Sequence, residues 1–442
     1  MKLALKVEVQ PTPKQVQVLR QHAGAGRWAY NWGLGKYKAA HKEWVELDRP
    51  KGWKGWPTPI SLHRDLNVLK RVALEDGGVP WMYDSSKCAP QEALRDLGCA
   101  IKNFRAGRAK FPRFKRRARG LGGFRLMEGG ATSGASCAGR ASGPRTAGAR
   151  RSCVIGSIAV ELKVIRVPRV GRLRIKPGDH GYLPVGSHGQ VSVTEEAGRW
   201  FVSLLGPEVE EASPNGKPAV GLDLGVSRLA TLSDGGVFEN PRALASSRRK
   251  LKRLSKALNR KQRGSMNRRK ARAKLAAVHA RVSNVRRDAL HKATTTLAKN
   301  HGKIVIEDLK LRNMTRAASG RGRTAKAGLN RVVLDAGFGA FRSMLEYKGK
   351  RYGCEVVAVP PHHTSQRCST CGHVAAGNRT SQAGFRCVSC GFEINADLNA
   401  AINILEAGSC PDSRNACGAG VRRGDPRVTS HPAVKQESAV AG

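Results

Sequence analysis

Three acidic residues stand in well-separated segments: Asp223 in Val220-Gly221-Leu222-Asp223-Leu224-Gly225, Glu307 at the end of Lys303-Ile304-Val305-Ile306-Glu307, and Asp397 in Asn395-Ala396-Asp397. A first strand holding one acid, a later strand ending on the second and a closing helix opening on the third would gather their carboxylates in one cleft. Carboxylate oxygens are hard ligands. Three from different elements can bridge and flank two magnesium or manganese ions about 3.5 to 4 Å apart, which cleave phosphodiesters by activating water and stabilising the leaving oxygen. Asp223, which would lie deepest in the sheet, is expected to bridge, with Glu307 and Asp397 completing the two coordination spheres.

Taken singly, each acid has a plainer use. A carboxylate at the start of a helix, as Asp397 would be, gains about 0.3 to 1 kcal/mol from the helix dipole. Asp223 could serve a turn beside Gly225, and Glu307 could cap a neighbouring helix. Asp308 and Asp234 are reserve acids close by. The case for chemistry rests on the arrangement of the three.

Between Glu307 and Asp397 come Cys368-Ser369-Thr370-Cys371 and Cys387-Val388-Ser389-Cys390, with Gly372 and Gly391 directly after each pair. Two such knuckles suit one tetrahedral zinc, the glycines permitting the tight turns, and four thiolates close the coordination, so the ion is expected to be structural. A redox dithiol would need one pair rather than two matched ones. The chain has 11 cysteines, an odd number, and no disulfide framework is expected. Cys88, Cys99, Cys137, Cys153, Cys354, Cys410 and Cys417 read as incidental or buried thiols, and His362, His363 and His373 as surface or nucleic-acid-facing residues.

The charge balance names the partner class. Lys and Arg number 79 against 33 Asp and Glu, for a net charge of +46 over 442 residues. A chain so charged repels itself unless a polyanion screens it, which points to nucleic acid. The charge is concentrated. Lys102 to Arg119 holds nine basic residues and no acid, with Phe104, Phe111 and Phe114 among them. Arg242 to Arg287 holds eighteen and no acid on a helical background. Arg113, Lys115, Arg116 and Arg117 in the first run, and Arg248, Arg249, Lys250, Arg253, Arg268, Arg269 and Lys270 in the second, are the expected phosphate contacts, while the phenylalanines are expected to pack. No stretch approaches the ~20 apolar residues of a membrane span, so the protein is expected in the cytoplasm.

The elements that must position these residues follow from periodicity. Leu3, Leu5, Val7 and Val9 alternate as a strand, and Thr12, Pro13 and Gln15 form a capping box that opens a helix. Residues 12 to about 105 read as mostly helical, with a break at Gly24 to Gly26. Residues 128–153, rich in Gly, Ala, Ser and Arg, read as a disordered insertion. Short strands over 158–165, 171–175, 190–193 and 200–205 suggest a small β-barrel closed by the first strand, with the helices as an insertion. After a linker over 208–218 come the Asp223 strand, its partner Leu229 to Leu232, and a helical hairpin broken at Gly264-Ser265. A helix at 289–298, the Glu307 strand, a mobile stretch over 311–330, a helix at about 336–352 and a strand at 355–359 complete the sheet. Asn395 caps the last helix, with Leu398, Ala401, Ile402 and Leu405 as its buried stripe, and 408–442 reads as a disordered tail.

Gly221-Leu222-Asp223-Leu224-Gly225, Ile306-Glu307-Asp308-Leu309, Thr364-Ser365-Gln366-x-Cys368-Ser369-x-Cys371-Gly372, Phe385-x-Cys387 and Asn395-Ala396-Asp397-x-Asn399-Ala400-Ala401-x-Asn403 together resemble the TnpB family, transposon-encoded relatives of type V CRISPR effectors. Phe111-Pro112-Arg113-Phe114-Lys115 and Val167-Pro168-Arg169-Val170-Gly171 fit the family's N-terminal half. The resemblance implies an α+β multidomain protein: a wedge-like β-barrel from 1–10 and 111–212, a helical recognition domain at 11–110, an RNase H-like (RuvC) nuclease domain at 218–365 and 392–407, and an inserted zinc ribbon at 366–391. It implies an RNA-guided DNA endonuclease that carries a guide RNA, cuts target double-stranded DNA with Asp223, Glu307 and Asp397, and is nucleoid-associated in a prokaryote. A transposase acting directly on transposon ends and a non-cleaving RNA-guided repressor are the alternatives.

Overall fold

The computed structural model describes residues 2–48, 52–116, 122–127, 158–178, 183, 185–208, 210–317 and 322–409. The expected insertion at 128–153 and the tail beyond Ser409 lie outside them. The chain divides into two compact units, 1–209 and 210–442.

The first unit begins with β1 (Lys2–Gln10) and continues through α1 (Pro13–Glu46), α2 (Pro59–Leu69) and α3 (Cys88–Arg105). Thr12 and Gln15 close the capping box, the Thr12 N–H donating to Gln15 Oε1 at 3.0 Å. The expected break at Gly24 to Gly26 does not occur, and α1 runs unbroken. Its glycines are packing positions: a Cβ on Gly26 would meet the Ala89 carbonyl at 3.2 Å, and one on Gly33 would meet Leu94 and Leu97 at 2.9 Å. Leu34, Leu62, Leu94 and Leu97 fill the core there, and this close helix contact outweighs the local cost of glycine, about 1 kcal/mol in a helix interior.

Strands β2 (Gly122–Met127), β3 (Ala159–Glu161), β4 (Val164–Val167), β5 (Gly171–Ile175), β6 (Gly186–Ser187), β7 (Gln190–Glu196) and β8 (Arg199–Glu208) join β1 in an eight-stranded antiparallel sheet of order β2-β7-β8-β1-β5-β4-β3-β6. The first strand sits among the later ones, between β8 and β5, so α1 to α3 are inserted between β1 and the remaining strands. Residues 158–165, expected as one strand, turn into the β3–β4 hairpin.

The second unit opens on the stretch expected as a linker, and part of that stretch is anchored to it: Asn215 Nδ2 donates to the His301 and Tyr352 carbonyls at 3.1 and 3.2 Å. Then come β9 (Ala219–Asp223), β10 (Arg228–Leu232), β11 (Val237–Glu239), α4 (Ala243–Asn259), α5 (Met266–Asn300), β12 (Lys303–Glu307), α6 (Leu311–Met314), α7 (Arg323–Ala336), α8 (Phe338–Tyr352) and β13 (Glu355–Val359). Last are β14 (Gly384–Arg386), β15 (Glu393–Asn395) and α9 (Ala396–Ser409). The helix expected at 289–298 is the end of α5. The stretch expected to be mobile, 311–330, contains α6 and much of α7, because Val333 and Ala336 bury against Phe338 and anchor α7.

The sheet order is β11-β10-β9-β12-β13, with β9 parallel to β12, β12 parallel to β13, and the other pairs antiparallel. Its two faces differ. Val220, Leu222, Ile304 and Ile306 pack with Leu290, Leu297, Phe341 and Leu345 of α5 and α8. Val305 and Val359 pack with Ile404 of α9 on the other face.

Candidate active site and metal centre

Strand alternation decides where the acids point. Side chains two residues apart share a face, so Asp223 lies on the Gly221 face and Glu307 on the Val305 face. Val305 pairs with Gly221 and Ile306 with Leu222, so Asp223 and Glu307 follow side by side where the strands end. That face is covered by α9, which brings Asp397. The approach is close: a Cβ on Gly221 would meet Leu405 N at 2.7 Å and collide with the Ala401 carbonyl.

The helix starts where the cysteine knuckles end. Asn395, the last residue of β15, accepts at its Oδ1 from the Asp397 N–H at 3.1 Å and the Leu398 N–H at 3.3 Å. This is the expected cap. The buried stripe differs: Ala400, Ala401 and Ile404 are buried together with Asn399 and Asn403, while Leu398, Ile402 and Leu405 are half-buried. The helix is rotated so that small residues meet Gly221 and two asparagines reach the cysteine-bearing segment.

The carboxylates feel one another. Burial pushes the Asp223 carboxyl up to about 7, the charges of Glu307 and Asp397 add to the rise, and Arg379 opposes it. Arg379 lies with its Nη2 3.8 Å from Asp397 Oδ1. Thr364 Oγ1 donates to Glu307 Oε1 at 2.6 Å. Between the usual carboxylate range and about 7, the folded protein keeps an Asp223 proton that the unfolded chain has released, so its stability falls as pH rises through that window. In magnesium-free buffer the Tm of Asp223→Asn should therefore decline less than that of the parent between pH 4 and about 7; parallel declines would show that Asp223 does not titrate there.

The two reserve acids are employed elsewhere. Asp308 accepts from Arg342 at 2.6 Å, which holds its carboxyl low. Asp234 Oδ1 accepts from the Gly236 N–H at 2.9 Å within a turn.

The sulfur atoms of Cys368, Cys371, Cys387 and Cys390 all lie within 4.8 Å of one another. A tetrahedral ion with metal–sulfur bonds of about 2.3 Å would separate its sulfurs by about 3.8 Å. Cys368 Sγ is 3.8 Å from Cys390 Sγ, and Cys371 Sγ is 3.5 Å from Cys387 Sγ, so the donor set fits such an ion. Gly372 and Gly391 both adopt φ +75°, and each donates its N–H to the first cysteine of its pair at 3.0 Å. The two knuckles are copies of one turn, and glycine meets its left-handed backbone without strain. The Cys390 backbone N–H leads the interactions that pull the Cys387 thiol down to about 6. Against the His373 backbone, which lowers it, the surrounding sulfurs hold Cys371 up at about 12. Four such close sulfurs can all be thiolates only around a cation. His362, His363 and His373 are exposed, as expected.

The basic residues separate into two groups. In the helical hairpin, Leu251, Val278 and Val282 form the apolar seam between α4 and α5, and Arg248, Arg249, Lys250, Arg253, Arg269 and Lys270 are exposed. Arg268 is different. It is half-buried and donates to the Leu258 and Lys261 carbonyls at 2.8 and 2.7 Å, where a cation offsets the helix C-terminus. Arg286 likewise binds the Asp335 carboxylate. In the first unit, Arg113, Lys115 and Arg116 line a cleft of about 430 Å³ together with Arg27 and Arg125. Asn31 fixes the Lys115 backbone through hydrogen bonds of 2.7 and 2.9 Å. Phe111 packs on the helical core, whereas Phe104, edge-on to it at 5.1 Å, and Phe114, beneath Lys38, are both exposed, contrary to expectation. Arg117 lies outside the described residues.

Family profiles match along the chain: an OrfB profile of the IS605 type described as "Probable transposase" at residues 191–318, a Cas12f1-like TNB domain at 338–404, and a helix-turn-helix domain at 1–44. The Escherichia coli (strain K12) protein named "Putative RNA-guided DNA endonuclease InsQ" is 36% identical over 434 residues, covering 96% of each chain. The chain belongs to the TnpB family. A second relative, from Streptomyces pristinaespiralis and named "Putative RNA-guided DNA endonuclease", is 33% identical over 99% of this chain and 96% of its own. A 58-residue segment, 13% of this chain and 14% of the other, is 53% identical to a "CRISPR-associated endodeoxyribonuclease Cas12f1" of Sulfoacidibacillus thermotolerans.

Sequence alone assigned no role to Thr364, Asn399, Asn403 or Arg379. The asparagines carried a signal, being polar residues four apart on the face of α9 that includes Ala396 and Ala400. Thr364 stood in a motif that carries the resemblance but its role was hidden, and Arg379 carried no signal, since the partners of both are distant in the chain.

Proposed function

We propose that this TnpB-family protein is an RNA-guided DNA endonuclease that carries a guide RNA and cuts target double-stranded DNA at Asp223, Glu307 and Asp397. The observation that supports it most is the meeting of these acids on the α9 face of a sheet, in a chain that matches relatives of that name over nearly its whole length. The strand order, three antiparallel strands followed by two parallel ones, supports an RNase H-like (RuvC) nuclease domain. On this reading β1 and β2 to β8 form the wedge, α1 to α3 the recognition insertion, and residues 366–391 a ribbon holding one structural zinc.

Hard carboxylate oxygens suit two magnesium or manganese ions, which when bound would activate water and stabilise the leaving oxygen. The chain's own residues prepare the place. Gly221 lets α9 approach, Asn395 orients the first turn carrying Asp397, Thr364 holds one oxygen of Glu307, and burial gives Asp223 an incentive to exchange its proton for a cation.

The purified protein with its co-expressed RNA is expected to cleave magnesium-supplemented duplex DNA that matches the guide and to spare unmatched duplex. Cleavage regardless of match, or joining of strands in its place, would overturn the proposal. The exposed hairpin cations are proposed to hold nucleic-acid backbone. Neutralising Arg248, Arg249, Lys250 and Arg253 together is expected to flatten the salt dependence of binding, by about 0.9 in log–log slope for each duplex phosphate that is no longer neutralised. An unchanged slope would make that face a solvated one.

A further inference from the structure

Glu307 leaves its strand with two carboxylate oxygens, and a side chain from outside the sheet holds one of them. Thr364 is buried, and its Oγ1 donates to Glu307 Oε1 at 2.6 Å. The Thr364 carbonyl in turn accepts from Asn403 Nδ2 at 2.9 Å, and the same amide donates to the Arg367 carbonyl at 2.7 Å. One turn earlier on α9, Asn399 Nδ2 donates to that Arg367 carbonyl at 2.8 Å, and its Oδ1 accepts from the Ser369 N–H at 3.0 Å. The two asparagines are 0% and 2% exposed. The structure keeps Asn403 buried although its Oδ1 has no partner among the described residues. Packing alone would favour an apolar side chain there, so the donated bonds are what the position provides.

We propose that Thr364 is a positioning residue for Glu307, and that Asn403 holds Thr364 in register with the helix carrying Asp397. A carboxylate free to rotate offers either oxygen to the cleft. With Oε1 held by a short charge-assisted bond, rotation is restricted and Oε2 is left for the ion. The hydroxyl is the working group, because it joins the acid of β12 to α9 through a chain of hydrogen bonds.

The inference rests on the reading of Glu307 as an active-site acid, so Glu307→Gln is measured beside Thr364→Val and Thr364→Ser in the RNA-loaded protein. The measurements are Mn²⁺ binding by calorimetry, the cleavage rate, RNA content and Tm. Thr364→Val is expected to weaken Mn²⁺ binding and slow cleavage by about 10- to 100-fold, with RNA content unchanged, while Thr364→Ser, which keeps the hydroxyl, stays near the parent. In the Glu307→Gln background, Thr364→Val should cost nothing further. If valine is not accommodated and the protein fails to fold, Thr364→Ala carries the same expectation. Parent-like ion binding in the hydroxyl-free variant, or equal damage from serine and valine, overturns the inference. Parent-like cleavage by Glu307→Gln overturns instead the reading of the site.

Discussion

Asp223→Asn is expected to abolish DNA cleavage, by at least about 10³-fold, while leaving RNA content and target binding at the parent level. Asp223 feels the charge of both other acids: Glu307 ends the neighbouring strand and Asp397 stands in the first turn of α9. Stabilising the charge of a transferring phosphoryl group contributes several kcal/mol, and each 1.36 kcal/mol is a factor of ten in rate. Asparagine keeps the shape and removes the anion, so Glu307 and Asp397 would remain without their central partner. Nucleic-acid binding should persist, since the exposed cations of α4 and α5 are untouched. Cleavage at the parent rate would remove Asp223 from the chemistry.

Cys387→Ser is expected to remove about one metal ion per chain, measured by elemental analysis, and to open residues 366–391 to proteolysis. The reason is size. The apolar cluster there comprises Cys368, Phe385, Cys387 and Ala396 with Phe392 and Ile394 against it, and two of its members belong to the four-cysteine set itself. Segments below about 40 residues rarely hold a fold without a metal or disulfide, and a structural zinc can supply about 10 to 16 kcal/mol of folding free energy. The loss should travel. Ala396 belongs to that cluster and Asn395 caps α9, so Asp397 would lose its fixed backbone and cleavage should fall with the metal content. Unchanged metal content would refute the four-thiolate site.

How much of this was legible depended on whether the determinant was local. The strands of Asp223 and Glu307 are short apolar runs with distinct ends, the cysteine spacing carries its own geometry, and the caps at Thr12 and Asn395 involve residues two or three apart. Gly24 to Gly26 looked like a break because glycine's weakness in a helix is local, whereas its use, admitting Ala89 of α3, depends on a residue more than sixty positions away. Strand β2 was missed because Gly122 and Gly123 disguise it, although β7 pairs with it along its length. Helix α7 was missed because its Arg, Gly and Ala content suggests a loop until Val333 and Ala336 find Phe338. In the candidate site, the meeting of the acids was legible and the contact with Thr364 was not, because Thr364 meets Glu307 across 57 residues.

The contact of α9 with β9 has a further consequence. The segments between the acids leave and re-enter the sheet at strand ends, and doubling a flexible loop costs only about 0.6 kcal/mol. Related chains could therefore differ widely in length between Asp223 and Glu307, or between Glu307 and Asp397, without disturbing the cleft. Thickness is another matter. A single methyl group on Gly221 would meet the α9 backbone, and one on Gly408 would meet Val305 at 2.5 Å. The chain can be lengthened between its acids, but it cannot be thickened where the last helix lies on the sheet.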